Sequence, residues 1–303
     1  MTDEASTTIG VKGPPRGAIA LFFDLFKLRI GLVIGFTALA GLAVTPGAAP
    51  SGWRVALLAL AVVVSSAAAG AFNQYVERDI DARMTRTRRR PFVTGRLAHS
   101  RGWLAIIGLM CAGSVVVAAL ATNPLAALYT FLGAFVYGVV YTVWLKRRTW
   151  LNIVVGGLAG SFAVLAGAAA VTPGELDWTP LWLAIVLFLW TPPHFWSLAI
   201  AFRSDYEAAG VPMLPAVVGD ARAARAILAG TVLLVAASLV PAWHGLSWIY
   251  AITALGSGAY FLKKSLDLVR NPGRRTAMAN FHASLAQLSL LLSAAIVDAA
   301  LLG

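Results

Sequence analysis

The chain has 303 residues, of which 59% are apolar and only 12% are charged. A soluble domain carries about 25% charged residues, so the composition excludes an ordinary soluble protein and indicates a polytopic membrane protein. The net charge of +11 could suggest a nucleic-acid partner, but its distribution argues against one, and the single cysteine, Cys111, excludes a disulfide framework or a cysteine-based metal site within one chain.

Nine stretches are apolar over about the 20 residues that a membrane-spanning helix needs. They are, in chain order, Leu25–Val44, Trp53–Phe72, Trp103–Ala121, Pro124–Leu145, Leu151–Val171, Pro180–Phe202, Ala223–Val240, Leu246–Leu266 and Phe281–Leu302. The first carries charges in its leading turns and is expected to begin as an interfacial helix. We therefore predict an N-terminal cytoplasmic segment, residues 1–24, followed by one integral-membrane domain, residues 25–303.

The basic residues are sorted between the two sides of this predicted arrangement. Of the 24 Lys and Arg residues, all but Arg54 fall in the N-terminal segment or in alternate connections. By the positive-inside rule, the N-terminus and these connections are cytoplasmic and the C-terminus is outside. The basic charge therefore indicates topology and a binding site, with no nucleic-acid partner expected.

The connection after the second stretch begins with polar residues at four-residue spacing. Asn73, Glu77 and Asp81 would lie along one face of a helix. Mg²⁺ takes oxygen ligands and is usually held by one or two carboxylates together with substrate phosphates. The row therefore predicts a site for Mg²⁺ and a diphosphate at the membrane edge, whereas Asp79 lies off this face and is predicted to be a surface residue.

Basic side chains near this row could neutralise phosphate oxygens and stabilise a departing diphosphate. They are Arg86, Arg88, Arg89 and Arg90 after the row, and Lys146 and Arg147 in the next cytoplasmic connection. An alternative that the sequence leaves open is that the acidic residues only pair with Arg78 and Arg83 at a solvated helix end.

The sixth stretch contains two consecutive prolines followed by His194 and Trp196. The prolines remove backbone donors and predict a break or kink in this helix. A histidine and tryptophans beside such a break would suit a planar aromatic ligand or haem iron. The alternative is a hydrogen-bonded histidine in an interfacial aromatic belt.

A second acidic segment follows the sixth stretch. Asp205 and, more weakly, Glu207 could form a second wall of the site. Because an even number of spans separates the two acidic segments, both are expected to open onto the same face of the membrane.

These polar residues belong to four longer motifs. The motifs are Asn73-Gln-Tyr-x-Glu77-Arg-x-x-Asp81-x-x-Met-x-Arg86-Thr-x-x-Arg90-Pro91, Tyr141-Thr-x-x-Leu-Lys146-Arg147-Arg148-Thr149-x-x-Asn152-Ile, Thr191-Pro-Pro-His194-Phe-Trp196 and Asp205-Tyr-x-x-Ala-Gly210-x-Pro-Met-Leu-Pro215. Together they resemble the UbiA superfamily of intramembrane prenyltransferases, and within it the branch that farnesylates protohaem IX. The resemblance extends to about Gly219; from Ala223 onward only the apolar pattern supports it.

The resemblance implies an all-α bundle of nine transmembrane helices around a central cavity, in the bacterial cytoplasmic (inner) membrane. It implies farnesyl transfer from farnesyl diphosphate to a vinyl group of haem B, giving haem O and diphosphate, with Mg²⁺ as cofactor. A downstream haem-modifying enzyme or oxidase assembly would be a further partner. By motif position, the metal ligands would be Asn73, Glu77, Asp81 and Asp205, the catalytic set would add Lys146, and the substrate-binding residues would be Arg86, Arg90, Arg147, Tyr141, His194 and Trp196.

One departure from the superfamily and two other functions bear on this expectation. Asp205 is followed four residues later by Ala209, where the superfamily usually has another aspartate, so a second fully coordinated Mg²⁺ is in doubt. A related prenyltransferase would act on a quinone precursor or another aromatic acceptor, against which the motif around His194 argues. A transporter would place ionisable residues near the bilayer midplane, whereas here they gather at one face.

Overall fold

A computed structural model describes residues 17–302, and every regular element in this range is a helix. The helices are α1 (Ala18–Phe26), α2 (Leu28–Ala43), α3 (Gly52–Val76), α4 (Arg78–Arg83), α5 (Arg101–Ala121), α6 (Pro124–Phe135), a π-helix (Val136–Leu145), α7 (Asn152–Gly156), α8 (Leu158–Val171), α9 (Trp178–Ala201), α10 (Arg203–Ala208), α11 (Leu214–Val218), α12 (Asp220–Leu239), a 3₁₀ turn (Val240–Trp243), α13 (Trp248–Arg270) and α14 (Arg274–Leu302). Most of the predicted N-terminal segment, residues 1–24, lies outside the described residues, and its predicted end falls within α1.

Seven helices of the described chain are long and apolar enough to cross a membrane. They correspond to all the predicted stretches except the first and the eighth. The first contains α2, which has only 16 residues. The eighth forms the longer α13, whose second half carries Lys263, Lys264 and Asp267. Large apolar side chains such as Leu109 and Leu120 are exposed on the outside of the bundle, as a lipid-facing surface requires.

The predicted first stretch is divided by Lys27, which separates α1 from α2. Lys27 has φ +47°, and it is the one described non-glycine residue with a positive φ. A residue in the left-handed conformation interrupts a right-handed helix. This conformation is unfavourable for a non-glycine residue because its Cβ lies too close to the following carbonyl oxygen. The chain therefore turns at Lys27, and α2 enters the bundle as a separate helix.

The bundle is closely packed where α2 meets α8. A Cβ added to Gly41 would collide with the backbone of Val164, and one added to Gly167 would collide with the backbone carbonyl of Ala38. Small residues allow such backbone approach between membrane helices, where van der Waals packing replaces the hydrophobic effect as the main attraction. This contact joins the first part of the chain to its middle.

Helix α9 runs through the centre of the second half and packs against α8, α12 and α14. It continues without interruption past Pro192 and Pro193 to Ala201, so the helix does not break there, whereas the kink stays a prediction. Local side chains bond to backbone carbonyls around the prolines: Thr191 Oγ1 donates to Leu187 O at 2.9 Å, and Ser197 Oγ donates to Pro193 O at 2.6 Å. Proline is tolerated in membrane helices where such polar groups accompany it.

Candidate active site

The row predicted from the sequence lies at the end of α3 and in α4, and its three side chains are buried. The backbone N–H of Glu77 donates to Asn73 O at 3.0 Å, and that of Asp81 donates to Glu77 O at 2.8 Å. Helical register is therefore maintained across the boundary between the two helices. The exposed fractions of Asn73, Glu77 and Asp81 are 2%, 0% and 1%, so two carboxylates and an amide follow one another, one turn apart, inside the protein.

Each buried carboxylate of this row is bound to a cation from another segment. Lys146 Nζ donates to Glu77 Oε2 at 2.6 Å, and Arg90 NH1 contacts both oxygens of Asp81, at 2.8 and 2.6 Å. The alternative in which Arg78 and Arg83 pair with the row is therefore wrong, because Arg90 and Lys146 are the partners. A buried charge has to be paired because desolvation penalises it strongly, and distant residues satisfy that requirement here.

Asn73 is held by residues that the sequence analysis did not select. Lys27 Nζ donates to Asn73 Oδ1 at 2.7 Å and to Tyr137 Oη at 3.1 Å. Asn73 Nδ2 donates to Thr142 Oγ1 at 3.1 Å. Lys27 lies at the start of the first apolar stretch, where its charge predicts only the topology. Thr142 belongs to the second motif, whereas nothing in the sequence distinguishes Tyr137 from the other residues of its helix.

The π-helix positions the basic and aromatic residues of the second predicted motif. The backbone N–H of Lys146 donates to Tyr141 O at 2.9 Å, a five-residue bond, and Thr142 Oγ1 donates to Tyr137 O at 2.8 Å. The Tyr137 and Tyr141 rings stack with centroids 5.6 Å apart, and Lys146 Nζ lies 5.6 Å from the Tyr141 centroid. Such wide turns are frequently found at functional sites, and in this one Lys146 lies against Glu77.

The second acidic segment meets the loop that follows the first. Asp205, in α10, is 9% exposed, and its Oδ2 accepts the backbone N–H of Arg86 at 3.1 Å. The Arg86 guanidinium donates to Tyr206 Oη at 3.4 Å and lies 5.8 Å from the centroid of the Phe202 ring. The second acidic segment is therefore at the same end of the bundle as the first and contacts the loop that follows it.

Arg147 lies outside this cluster, although it adjoins Lys146. Its guanidinium donates to both oxygens of Asp79, at 2.7 and 2.8 Å, and the two side chains are 43% and 53% exposed. The hydrogen bonds from Arg147 hold the pKa of Asp79 below its ordinary value. Asp79 is a surface residue, as the sequence analysis expected, but the position of Arg147 does not support the prediction that it binds the diphosphate.

Glu207 is also outside the cluster, in an exposed pair with Arg203 at 2.6 Å. Its position does not support the weaker prediction that it is a metal ligand. The arginines 88 and 89 are likewise exposed. Of the predicted basic residues, Lys146 and Arg90 contact the acidic row, and Arg86 contacts the second acidic segment.

The donor set fits Mg²⁺ that shares its ligands with a substrate. Within residues 17–302, no three His, Cys, Asp or Glu side chains are close enough to hold a metal ion by themselves. However, Glu77 Oε1 is buried and has no hydrogen-bond partner there, and the carboxylate and amide oxygens around it are the ligand type that Mg²⁺ prefers. Mg²⁺ keeps waters and takes phosphate oxygens, so a complete protein cage is not required.

His194 is enclosed between aromatic rings in the interior of the bundle. Its ring stacks on Trp190 at 4.1 Å and on Phe281 at 4.4 Å between centroids, and its Nδ1 lies 2.7 Å from Ser284 Oγ. It is 5% exposed, so it does not belong to an interfacial belt. Because both ring faces are covered, a planar ligand could approach only an edge of His194 unless one of these rings moved.

Trp196 lies one half-turn further along α9 and is also buried. Its indole Nε1 is inside the protein without a hydrogen-bond partner among the described residues. Its ring centroid is 6.1 Å from that of Trp150. Most of the predicted site residues thus fall into two groups, with Arg147 outside both. One is a charged cluster at the end of α3, formed by Asn73, Glu77, Asp81, Arg90 and Lys146. The other is an aromatic group along α9, formed by His194 and Trp196.

Known proteins resemble this chain in sequence and in fold. Protoheme IX farnesyltransferase 2 of Paramagnetospirillum magneticum is 58% identical over 281 residues, which are 92% of this chain and 97% of that protein. Protoheme IX farnesyltransferase 1 of the same organism is 50% identical over 91% of this chain and 97% of its own length.

Among solved structures, one on digeranylgeranylglyceryl phosphate synthase has a TM-score of 0.75 at 17% identity and covers 93% of this chain and 98% of its own. A UbiA homolog from Archaeoglobus fulgidus bound to DMAPP and Mg²⁺ has a TM-score of 0.70 at 16% identity and covers 89% and 98%. Residues 34–291 match the UbiA prenyltransferase family. This chain is therefore an integral membrane protein of the UbiA prenyltransferase family.

Proposed function

We propose that this chain is a Mg²⁺-dependent prenyltransferase that transfers farnesyl from farnesyl diphosphate to a vinyl group of haem B, releasing diphosphate and giving haem O. The observation that carries the proposal is 58% identity, over nearly the whole chain, to a protein named protoheme IX farnesyltransferase. The buried acidic row with its surrounding cations supports the diphosphate half of the reaction.

The charged cluster is suited to an exchange of partners when the substrate arrives. In the free protein, Glu77 is neutralised by Lys146 and Asp81 by Arg90. A diphosphate would attract the two cations, and the carboxylates would then be available to a metal ion. When bound, Mg²⁺ would supply Lewis-acid stabilisation of the charge on the phosphate oxygens. Lys146, Arg90 and Arg86 would stabilise the same charge by charge-assisted hydrogen bonds as the allylic C–O bond breaks.

The acceptor half of the reaction requires a dry interior followed by one water. The leaving diphosphate takes the electron pair of the C–O bond, and the haem vinyl π bond then forms the new C–C bond to the farnesyl carbon. Water adds to the resulting haem-side cation and loses a proton, which gives the hydroxyethylfarnesyl group. The apolar bundle protects the first cation from water, and His194 and Trp196 are the proposed contacts of the haem.

The membrane placement completes the proposal. Nine spans would include α2 and α13, with the N-terminus in the cytoplasm and the C-terminus outside, in the bacterial inner membrane. The charged cluster would then face the cytoplasm, so that the charged diphosphate of the substrate would stay near water while its apolar farnesyl chain entered the bundle. A downstream haem-modifying enzyme or oxidase assembly is the proposed consumer of the lipid-embedded product.

A product assay tests the proposal directly. The purified protein is incubated with haem B, farnesyl diphosphate and Mg²⁺, and mass spectrometry should detect haem carrying a hydroxyethylfarnesyl group. Glu77→Gln should abolish the product, whereas Glu207→Gln, which removes an exposed carboxylate, should retain it. Prenylated 4-hydroxybenzoate in a parallel incubation, without modified haem, would instead identify a different acceptor.

A further inference from the structure

Lys27 brings the first part of the chain into the charged cluster. Its ammonium binds the amide oxygen of Asn73 and the hydroxyl of Tyr137, while the amide nitrogen of Asn73 binds Thr142. An amide that is bonded at both ends cannot exchange its oxygen and nitrogen without losing both bonds. Lys27 therefore determines where the oxygen of Asn73 is held.

Packing holds Lys27 in a backbone conformation that is itself unfavourable. Its left-handed conformation is disfavoured by about 1–2 kcal/mol, and it lies at the break between α1 and α2. The methylene stem rests on α3 at Gly70, where an added Cβ would lie 3.4 Å from Lys27 Cδ. A strained residue that persists in a packed environment is a reason to look for a role.

The charge of Lys27 is not matched in the way that the neighbouring charges are. Glu77 and Asp81 are each bound to another cation, and the two hydrogen-bond acceptors of Lys27 are neutral. A protonated Lys27 therefore adds positive charge beside Asn73, and a diphosphate has more negative charge than one Mg²⁺ neutralises.

We propose that Lys27 is a positioning residue of the diphosphate site: it orients the amide oxygen of Asn73 and supplies the positive charge that balances a bound diphosphate. This inference rests on the proposed function. It assigns to the start of α2 a part in substrate binding that the four sequence motifs do not include.

The test is the binding of inorganic diphosphate to the purified protein in the presence of Mg²⁺, measured by calorimetry. Lys27→Met keeps most of the stem and removes the charge, and it should weaken binding about ten- to a hundredfold, the equivalent of one charge-assisted hydrogen bond. Lys27→Arg should recover most of the affinity. Arg29→Met removes an equal charge from an exposed residue two positions away and should change the affinity by less than about twofold.

Unchanged diphosphate affinity in a folded Lys27→Met variant would overturn the inference. If this variant does not fold, Lys27→Gln and Lys27→Arg decide, because both keep a donor for Asn73 and only arginine keeps the charge. Equal affinity of these two variants would also overturn it. A wild-type protein that binds no diphosphate, or prenylates no acceptor, would instead contradict the proposed function.

Discussion

The buried ion pair between Glu77 and Lys146 leads to a prediction that separates stability from activity. At the observed 2.6 Å, the attraction is about 6 kcal/mol for an effective dielectric constant of about 20, and desolvation of both groups offsets much of it. Removing one partner leaves the other charge buried alone, so Glu77→Gln or Lys146→Met should each destabilise the protein by about 3–5 kcal/mol.

The double variant should be more stable than either single variant, because no buried charge is then left without a partner. It should nevertheless be inactive in farnesyl transfer. The assay is thermal unfolding in detergent, where each single variant should lower the midpoint by roughly 6–20 °C, together with the product assay. The exposed pair between Arg203 and Glu207 is the matched control, with an expected coupling of only about 0.3–0.5 kcal/mol. Additive effects at Glu77 and Lys146 would refute the reasoning.

Three further predictions follow from the site and its surroundings. Mg²⁺ and diphosphate should strengthen each other's binding by about 5- to 150-fold, because diphosphate draws the cations away from the carboxylates and Mg²⁺ draws the carboxylates away from the cations. Calorimetry of diphosphate binding with and without Mg²⁺ measures this coupling. Tight Mg²⁺ binding by the protein alone would contradict it. Gln287 is fully buried and neither of its amide atoms has a partner among the described residues, so Gln287→Met should raise the thermal midpoint by removing a desolvation penalty of about 1–3 kcal/mol; a lower midpoint would point to a bound water or ligand. Arg147 lowers the pKa of Asp79 in the folded protein, so this ion pair stabilises the protein at neutral pH and loses that effect as the pH falls through the folded pKa. The difference in thermal midpoint between wild type and Asp79→Asn should therefore disappear in acid. The Asp79→Asn variant should retain its activity at neutral pH.

The acidic row shows what residue spacing alone can predict. A four-residue repeat after an apolar stretch was enough to select Asn73, Glu77 and Asp81 and to set Asp79 apart, because helical geometry decides which side chains share a face. The sequence could not identify the partners of the row. Arg78 and Arg83 are closer along the chain, but Lys146 and Arg90 are the residues that the folded bundle brings to the carboxylates.

The residues that surround His194 could not be predicted from the sequence, for a similar reason. The ring of His194 is covered by Phe281 and hydrogen-bonded to Ser284. Both residues lie about ninety positions further along the chain, in a part where only the apolar pattern supports the family resemblance. Helix α9 continues through Pro192 and Pro193 while it packs against α8, α12 and α14. Local propensity favours a break there, and tertiary packing overrides that preference.

The π-helix before Lys146 makes the site sensitive to an insertion or deletion that the fold would tolerate. Its five-residue bonds accommodate more residues per turn than an ordinary helix does. Deleting one residue from Val136–Leu145 would allow regular four-residue bonds, so the span would still form. Regular bonds would replace the bond from the Lys146 N–H to Tyr141 O, and the direction in which Lys146 approaches Glu77 would change with it. Among related chains, those that lack this extra residue should therefore place a different cation beside the acidic row.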